Sequence, residues 1–156
     1  MGTLQTMLRW LQHLILNLRV YPVMRPDFHQ RCQVNQQLKA RSALSELEWH
    51  DRFSPAKAIP QEITNFVYRH LPHYSGLTFD RVLPNDCLEK DLHLTLVCWF
   101  DWQGQLCEDF WQVFQVDISD RLDWSSLNTV EDFVLFLSHQ LQATSTPAVW
   151  PDQSGQ

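Results

Sequence analysis

Four acidic side chains in one stretch, Asp101, Glu108, Asp109 and Asp117, are the first candidates for chemistry. Paired carboxylates work as general acid and base when they are buried at a controlled separation. Glu108 and Asp109 are adjacent, so on a helix they diverge by about 100°. A solvated acidic face is the better reading of this group. His70 and His73 sit close together in His70-Leu71-Pro72-His73. A metal would need further ligands at defined geometry. Glu62, Asp80 and His93 are available, but no spacing ties them to the pair. A His near a helix C-terminus is also explained by the helix dipole. Seven His and several Ser give many chance combinations, and none fixes a Ser–His–Asp arrangement. Cys32, Cys87, Cys98 and Cys107 show no C-x-x-C spacing. They read as reduced thiols of a cytosolic protein, mostly small buried hydrophobes. The chain is therefore read as non-enzymatic, with no metal site and no resident cofactor.

The tryptophans offer a different chemistry. Trp99, Trp102, Trp111 and Trp124 surround the acidic stretch. Trp is enriched where interfaces bury most of their binding energy. Asp101, Trp102, Glu108, Asp109 and Trp111 together are the candidate partner-binding face. A large aromatic core is the competing reading. Trp111 follows Phe110 directly, so at least one of the two faces outward or into a neighbour.

These residues need a scaffold, and the composition bounds it. The 156 residues are 44% hydrophobic and 12% aromatic, enough to bury a core. Only four are Gly, which disfavours Gly-rich phosphate loops and bladed repeats. No apolar run approaches the roughly 18 to 20 residues of a membrane span. The net charge of −6 is unevenly spread: residues 1–56 carry +3 and residues 57–156 carry −9. An acidic body repels nucleic acid and favours partners with basic surfaces.

Apolar spacing marks the elements. Leu4, Met7, Leu8, Leu11, Leu14, Ile15 and Leu18 predict an amphipathic helix over 4–20, flanked by Arg9 and Arg19. It could pack on the body, dock in a partner groove or lie on an anionic membrane surface. No basic residue precedes Arg9 and no small-residue cleavage site follows Leu18, so it does not read as a signal peptide. Residues 30–49 are read as one further helix with a loose stripe of Val34, Leu38, Ala43, Leu44 and Leu47. Residues 51–60 read as a linker, with a boundary near Pro55. The spacing of Ile63, Phe66, Val67 and Leu71 predicts a helix over 60–71, stopped by Pro72. Residues 92–100 alternate as a short strand would. Gln103-Gly104 reads as a break, and a helix follows over 106–114 through Leu106, Phe110, Val113 and Phe114. Thr129 and Asp132 form a capping-box pattern before the stripe Val130, Phe133, Val134, Leu137 and Leu141. Three segments are expected: a basic helical arm (1–56), an acidic helical domain (57–142) and a flexible tail (143–156).

The order of these pieces resembles an acyl carrier protein over residues 58–141. The residues that carry the likeness are the helix from Gln61 to Leu71, the loop with Val82 and Leu88-Glu89-Lys90-Asp91-Leu92, and the helix ending at Phe114. Val116-Asp117-Ile118-Ser119-Asp120 and Asn128-Thr129-Val130-Glu131-Asp132-Phe133 complete the pattern. The resemblance implies a mostly helical, four-helix carrier-like bundle, here preceded by the N-terminal arm. A working carrier has Asp-Ser-Leu at the start of its second helix, where the serine takes 4′-phosphopantetheine. The corresponding stretch here is Trp99-Phe100-Asp101-Trp102-Gln103-Gly104-Gln105-Leu106, which has no Ser, Thr or Tyr. The segment is also longer than in a typical carrier. A second alignment, Ser125-Ser126-Leu127-Asn128-Thr129-Val130-Glu131, would make Ser126 the attachment serine. A loop or helix-cap role is its other reading.

The function expected from the sequence is a non-catalytic, cytoplasmic, carrier-like module. Its acidic, Trp-rich face would dock on a basic protein partner, with membrane-peripheral contact through residues 4–20 as an option. Two rivals stand beside it: a functional carrier loaded at Ser126, and an acidic inhibitor or immunity-type protein that blocks a basic enzyme or toxin.

Overall fold

A computed structural model of the chain describes residues 25–53 and 55–145. These form six α-helices: α1 (Phe28–Leu38), α2 (Glu46–His50), α3 (Gln61–Ser75), α4 (Leu94–Val97), α5 (Trp102–Phe114) and α6 (Val130–Ser145). Single 3-10 turns lie at Pro55–Lys57, Phe79–Arg81 and Trp124–Ser126. The expected mostly helical fold is the fold observed. The amphipathic segment 4–20, and the tail beyond residue 145, lie outside the described residues. Residues 143–145 belong to α6.

Local chemistry explains the helix ends. Asp27 accepts the Gln30 N–H at 3.0 Å and starts α1. Ser45 and Glu48 form a reciprocal capping box at α2. Thr129 and Asp132 do the same at α6, with bonds of 2.9 and 3.1 Å. The single helix expected over 30–49 is two helices, because Ser45 starts a new one after the turn at 39–45. Ala43 and Leu47 of the expected stripe are exposed, while Val34, Leu38 and Leu44 are buried.

Two further expectations are corrected. Pro72 does not stop α3. Proline removes one backbone donor, but Leu71 and Tyr74 are buried on either side of it and anchor the last turn. Ser75 Oγ donates to the Leu71 carbonyl at 2.7 Å. Gly76 then ends the helix in the left-handed region, with φ of 66°. The short strand expected near 92–100 is instead the helical turn α4. No strand occurs among the described residues, and the one sheet-like pairing is an isolated bridge between Cys87 and Thr129. Leu94, Val97 and Cys98 are buried at i, i+3, i+4 spacing. Leu92, Leu94, Leu96, Cys98 and Phe100 alternate along the sequence, so both patterns fit, and a strand here would have no neighbour among the described residues to pair with.

One core joins all six helices. Trp49, with no exposed surface, donates its indole N–H to the Val82 carbonyl at 2.8 Å. Its rings meet Phe53, Tyr68 and Phe79 at 4.8, 5.8 and 5.7 Å. Val34, Leu38, Trp49 and Phe53 are therefore part of the same core as α3 and α6. The division expected near Pro55 is not a break in packing. α3 packs on α2 and α6, and α1 packs on α4.

Candidate functional site

α5 starts four residues earlier than its stripe predicts, at Trp102 rather than 106. Gly104 lies inside it and is not a break. A side chain there would project into open space, so packing does not require the glycine, which costs the helix about 1 kcal/mol relative to alanine. The earlier start places Trp102, Leu106 and Phe110 on one buried stripe at i, i+4, i+8. Phe110 and Phe114 meet Phe66 of α3 at 5.4 and 5.6 Å. Trp102 packs edge-on against Trp124 at 4.6 Å. These contacts fix the orientation of α5, and so of its outer face.

That outer face carries Gln103, Gly104, Glu108 and Trp111. Gln115 ends the helix with φ of 57°, turning the chain back. Val116 and Ile118 are buried, so Asp117 and Ser119 point the other way, alongside α5. A groove of about 470 Å³ results, lined by Gln103, Gly104, Cys107, Glu108, Trp111, Asp117, Ser119 and Leu122.

Trp111 remains 46% exposed at this groove. Glu108 is exposed and accepts a hydrogen bond from Gln112 at 3.0 Å. Asp117 accepts the Ser119 N–H at 2.9 Å and its hydroxyl at 2.7 Å. The hydroxyl and N–H of Ser119 hold the Asp117 carboxyl below its ordinary range. Asp117 therefore keeps its negative charge through mildly acidic conditions. Cys107 is buried at the groove, and burial pushes its thiol up despite the opposing hydrogen bond to Ser119. It is a neutral thiol and a poor nucleophile at ordinary pH.

The five residues expected to bind a partner divide. Glu108 and Trp111 share the groove. Asp101 is exposed at the start of α5, outside it. Asp109 turns the other way and accepts a hydrogen bond from the Tyr74 hydroxyl. Trp102 is only 3% exposed, so its expected role as a contact residue is corrected to a core role. Asp117, weighed in the sequence only as a catalytic carboxylate, proves to line the groove. Its signal was the alternation of Val116 and Ile118 with Asp117 and Ser119.

Ser126 is exposed in the 3-10 turn before α6, and its hydroxyl donates to the Asp123 carbonyl at 2.8 Å. His70 is stacked on Phe66, with Nδ1 2.8 Å from the Phe66 carbonyl. Among the described residues no three His, Cys, Asp or Glu side chains are grouped to hold a metal ion. No helix among them is long and apolar enough to cross a membrane. No family model matches this chain, and neither a curated protein nor a solved structure does.

Proposed function

We propose that this chain is a non-catalytic, carrier-like interaction module of the cytoplasm that offers the α5 groove to a basic protein partner. The observation that carries the reading is Trp111, half-exposed beside Glu108 and Asp117 in one groove. An Arg or Lys side chain entering there would stack on the indole while its charge faces two carboxylates. The −9 charge of residues 57–156 supports it by steering a cationic surface toward the body. The carrier likeness supports it through helix order: α3, α5 and α6 follow in sequence, with the helical turn α4 added between α3 and α5 and a 3-10 turn before α6. The place where a carrier would be loaded opens α5 with Asp101 and Trp102, neither of which has a hydroxyl to esterify.

The test is affinity capture from the native host with the full chain as bait, beside Glu108→Lys/Asp117→Lys and Trp111→Ala baits. A basic protein retained by the wild type and lost by both variants supports the reading. A partner retained equally by all three overturns it. The captured protein's class also separates the inhibitor reading, since a toxin or nuclease would point there.

A further inference from the structure

Four large apolar side chains stand exposed at one corner of the fold: Phe28, Leu96, Trp99 and Phe100. Phe100 is the most open, at 64%. They come from the first turn of α1 and from the α4–α5 corner. Two hydrogen bonds clamp these pieces together: Asp27 N–H to the Leu96 carbonyl at 2.9 Å, and Arg31 Nη2 to the Val97 carbonyl at 2.6 Å. The corner is therefore a fixed crest rather than a set of independent tips. Apolar groups gathered in this way usually have an occupant.

We propose that residues 4–20 of this same chain cover the crest, laying the stripe of Leu8, Leu11, Ile15 and Leu18 against Leu96, Trp99 and Phe100. The inference does not depend on the α5 groove or its partner. Three observations favour this occupant. Residues 1–24 lie outside the described structure, and the described chain begins at Arg25, two residues from the Asp27 that bonds Leu96. The five residues 21–25 can span about 17 Å, enough to fold a preceding segment back over the corner. If helical, residues 4–20 would extend about 25 Å and present Leu8, Leu11, Ile15 and Leu18 along one side. Charge points the same way: residues 1–24 contain Arg9 and Arg19 and no acid, while exposed Asp101 follows Phe100 directly. A second copy would instead bring one strongly acidic body against another.

Hydrogen exchange on the 156-residue chain, read by mass spectrometry at two concentrations tenfold apart, tests this. The expected result is protection of residues 4–20 by at least about tenfold, unchanged by dilution. In Leu96→Asp/Phe100→Asp that protection should vanish while α3 and α6 stay protected. If the double variant fails to fold, Phe100→Ser alone serves the same comparison. The proposal is overturned by an unprotected segment in the wild type, or by protection that survives both crest variants. Protection that falls on dilution would assign the crest to a second copy. Protection that arises only with anionic phosphatidylserine vesicles would assign the segment to a membrane surface. Either result rejects the proposal.

Discussion

Arg41 grips Asp86 with both ends of its guanidinium, Nη1 to Oδ2 at 2.6 Å and Nη2 to Oδ1 at 3.0 Å. Asp86 is buried and also accepts the Leu83 N–H at 2.7 Å, while its own carbonyl accepts the Val130 N–H that opens α6. One residue pair thus ties the segment after α1 to the loop that seats the last helix. Asp86→Ala is expected to destabilise the fold by about 2 to 3 kcal/mol, because it strands several donors at once. Arg41→Ala is expected to cost at least as much, since it leaves the buried Asp86 carboxylate with the Leu83 N–H as its remaining side-chain partner, whereas Arg41 is partly exposed and can turn to water when Asp86 is removed. Urea unfolding of the two variants, followed by tryptophan fluorescence, gives the order directly.

Trp111 and Glu108 make few demands on the fold. Trp111→Ala should change stability by no more than about 1 kcal/mol. Against a captured basic partner it should weaken binding by about thirtyfold, the loss of a half-exposed aromatic anchor. Glu108→Lys should act differently, lowering the association rate and flattening its dependence on salt. Surface plasmon resonance at two ionic strengths distinguishes the two effects.

Tyr74 sets an alkaline limit. Burial first, and then its hydrogen bond to Asp109, raise the phenol well above its ordinary value. An unfolded tyrosine ionises near pH ~10. Its contribution is therefore complete below about pH 10 and is lost as pH rises beyond it. The buried Cys98 thiol, pushed up to about 12, and the Tyr68 phenol act in the same sense. Stability should fall with rising pH across this range, and Tyr74→Phe should fall less steeply. Denaturation midpoints from about pH 8 to 11 measure the difference. An equal slope in the variant would remove Tyr74 from the account.

Ala58 is held at φ of 47°, a left-handed conformation that costs a residue with a β-carbon. Ala58→Gly is expected to raise stability by about 0.5 kcal/mol, because the strain relieved exceeds the freedom gained by the unfolded chain. A thermal melt suffices to check the sign.

Co-expression with a phosphopantetheinyl transferase is expected to leave the intact mass unchanged. The Ser126 hydroxyl is exposed, but it sits in a turn before α6 and is bonded to Asp123. A mass gain of one phosphopantetheine that disappears in Ser126→Ala would establish the carrier alternative.

Much of the helical fold was legible where the signals are local. Thr129 and Asp132 announced α6, and Ile63, Phe66, Val67 and Leu71 announced α3. The errors arose where a distant contact decides. Pro72 is tolerated because the core holds Leu71 and Tyr74. Residues 92–100 satisfy two periodicities at once, and only the missing strand partner separates them. The site was half legible for the same reason. Glu108 and Trp111 line one groove, as their i, i+3 spacing allows, whereas Trp102 lies in the core because α5 begins before the stripe that starts at Leu106. Its i+4 relation to Leu106 was hidden by Gly104. The Asp117 side of the groove depends on the left-handed turn at Gln115, which no residue type advertises.

Arg31 lays its guanidinium against Gly76 so closely that a methyl group there would lie 2.8 Å from it. The backbone angle requires the glycine, and a β-carbon there would also push aside the flexible end of the arginine. Mutational drift at these two positions should be coupled: a lineage that shortens the side chain at 31 gains room at 76, but not the reverse. Among natural variants, the residues that replace glycine at 76 should be Asn or Asp, which tolerate that backbone angle, and they should accompany a shortened or displaced side chain at 31.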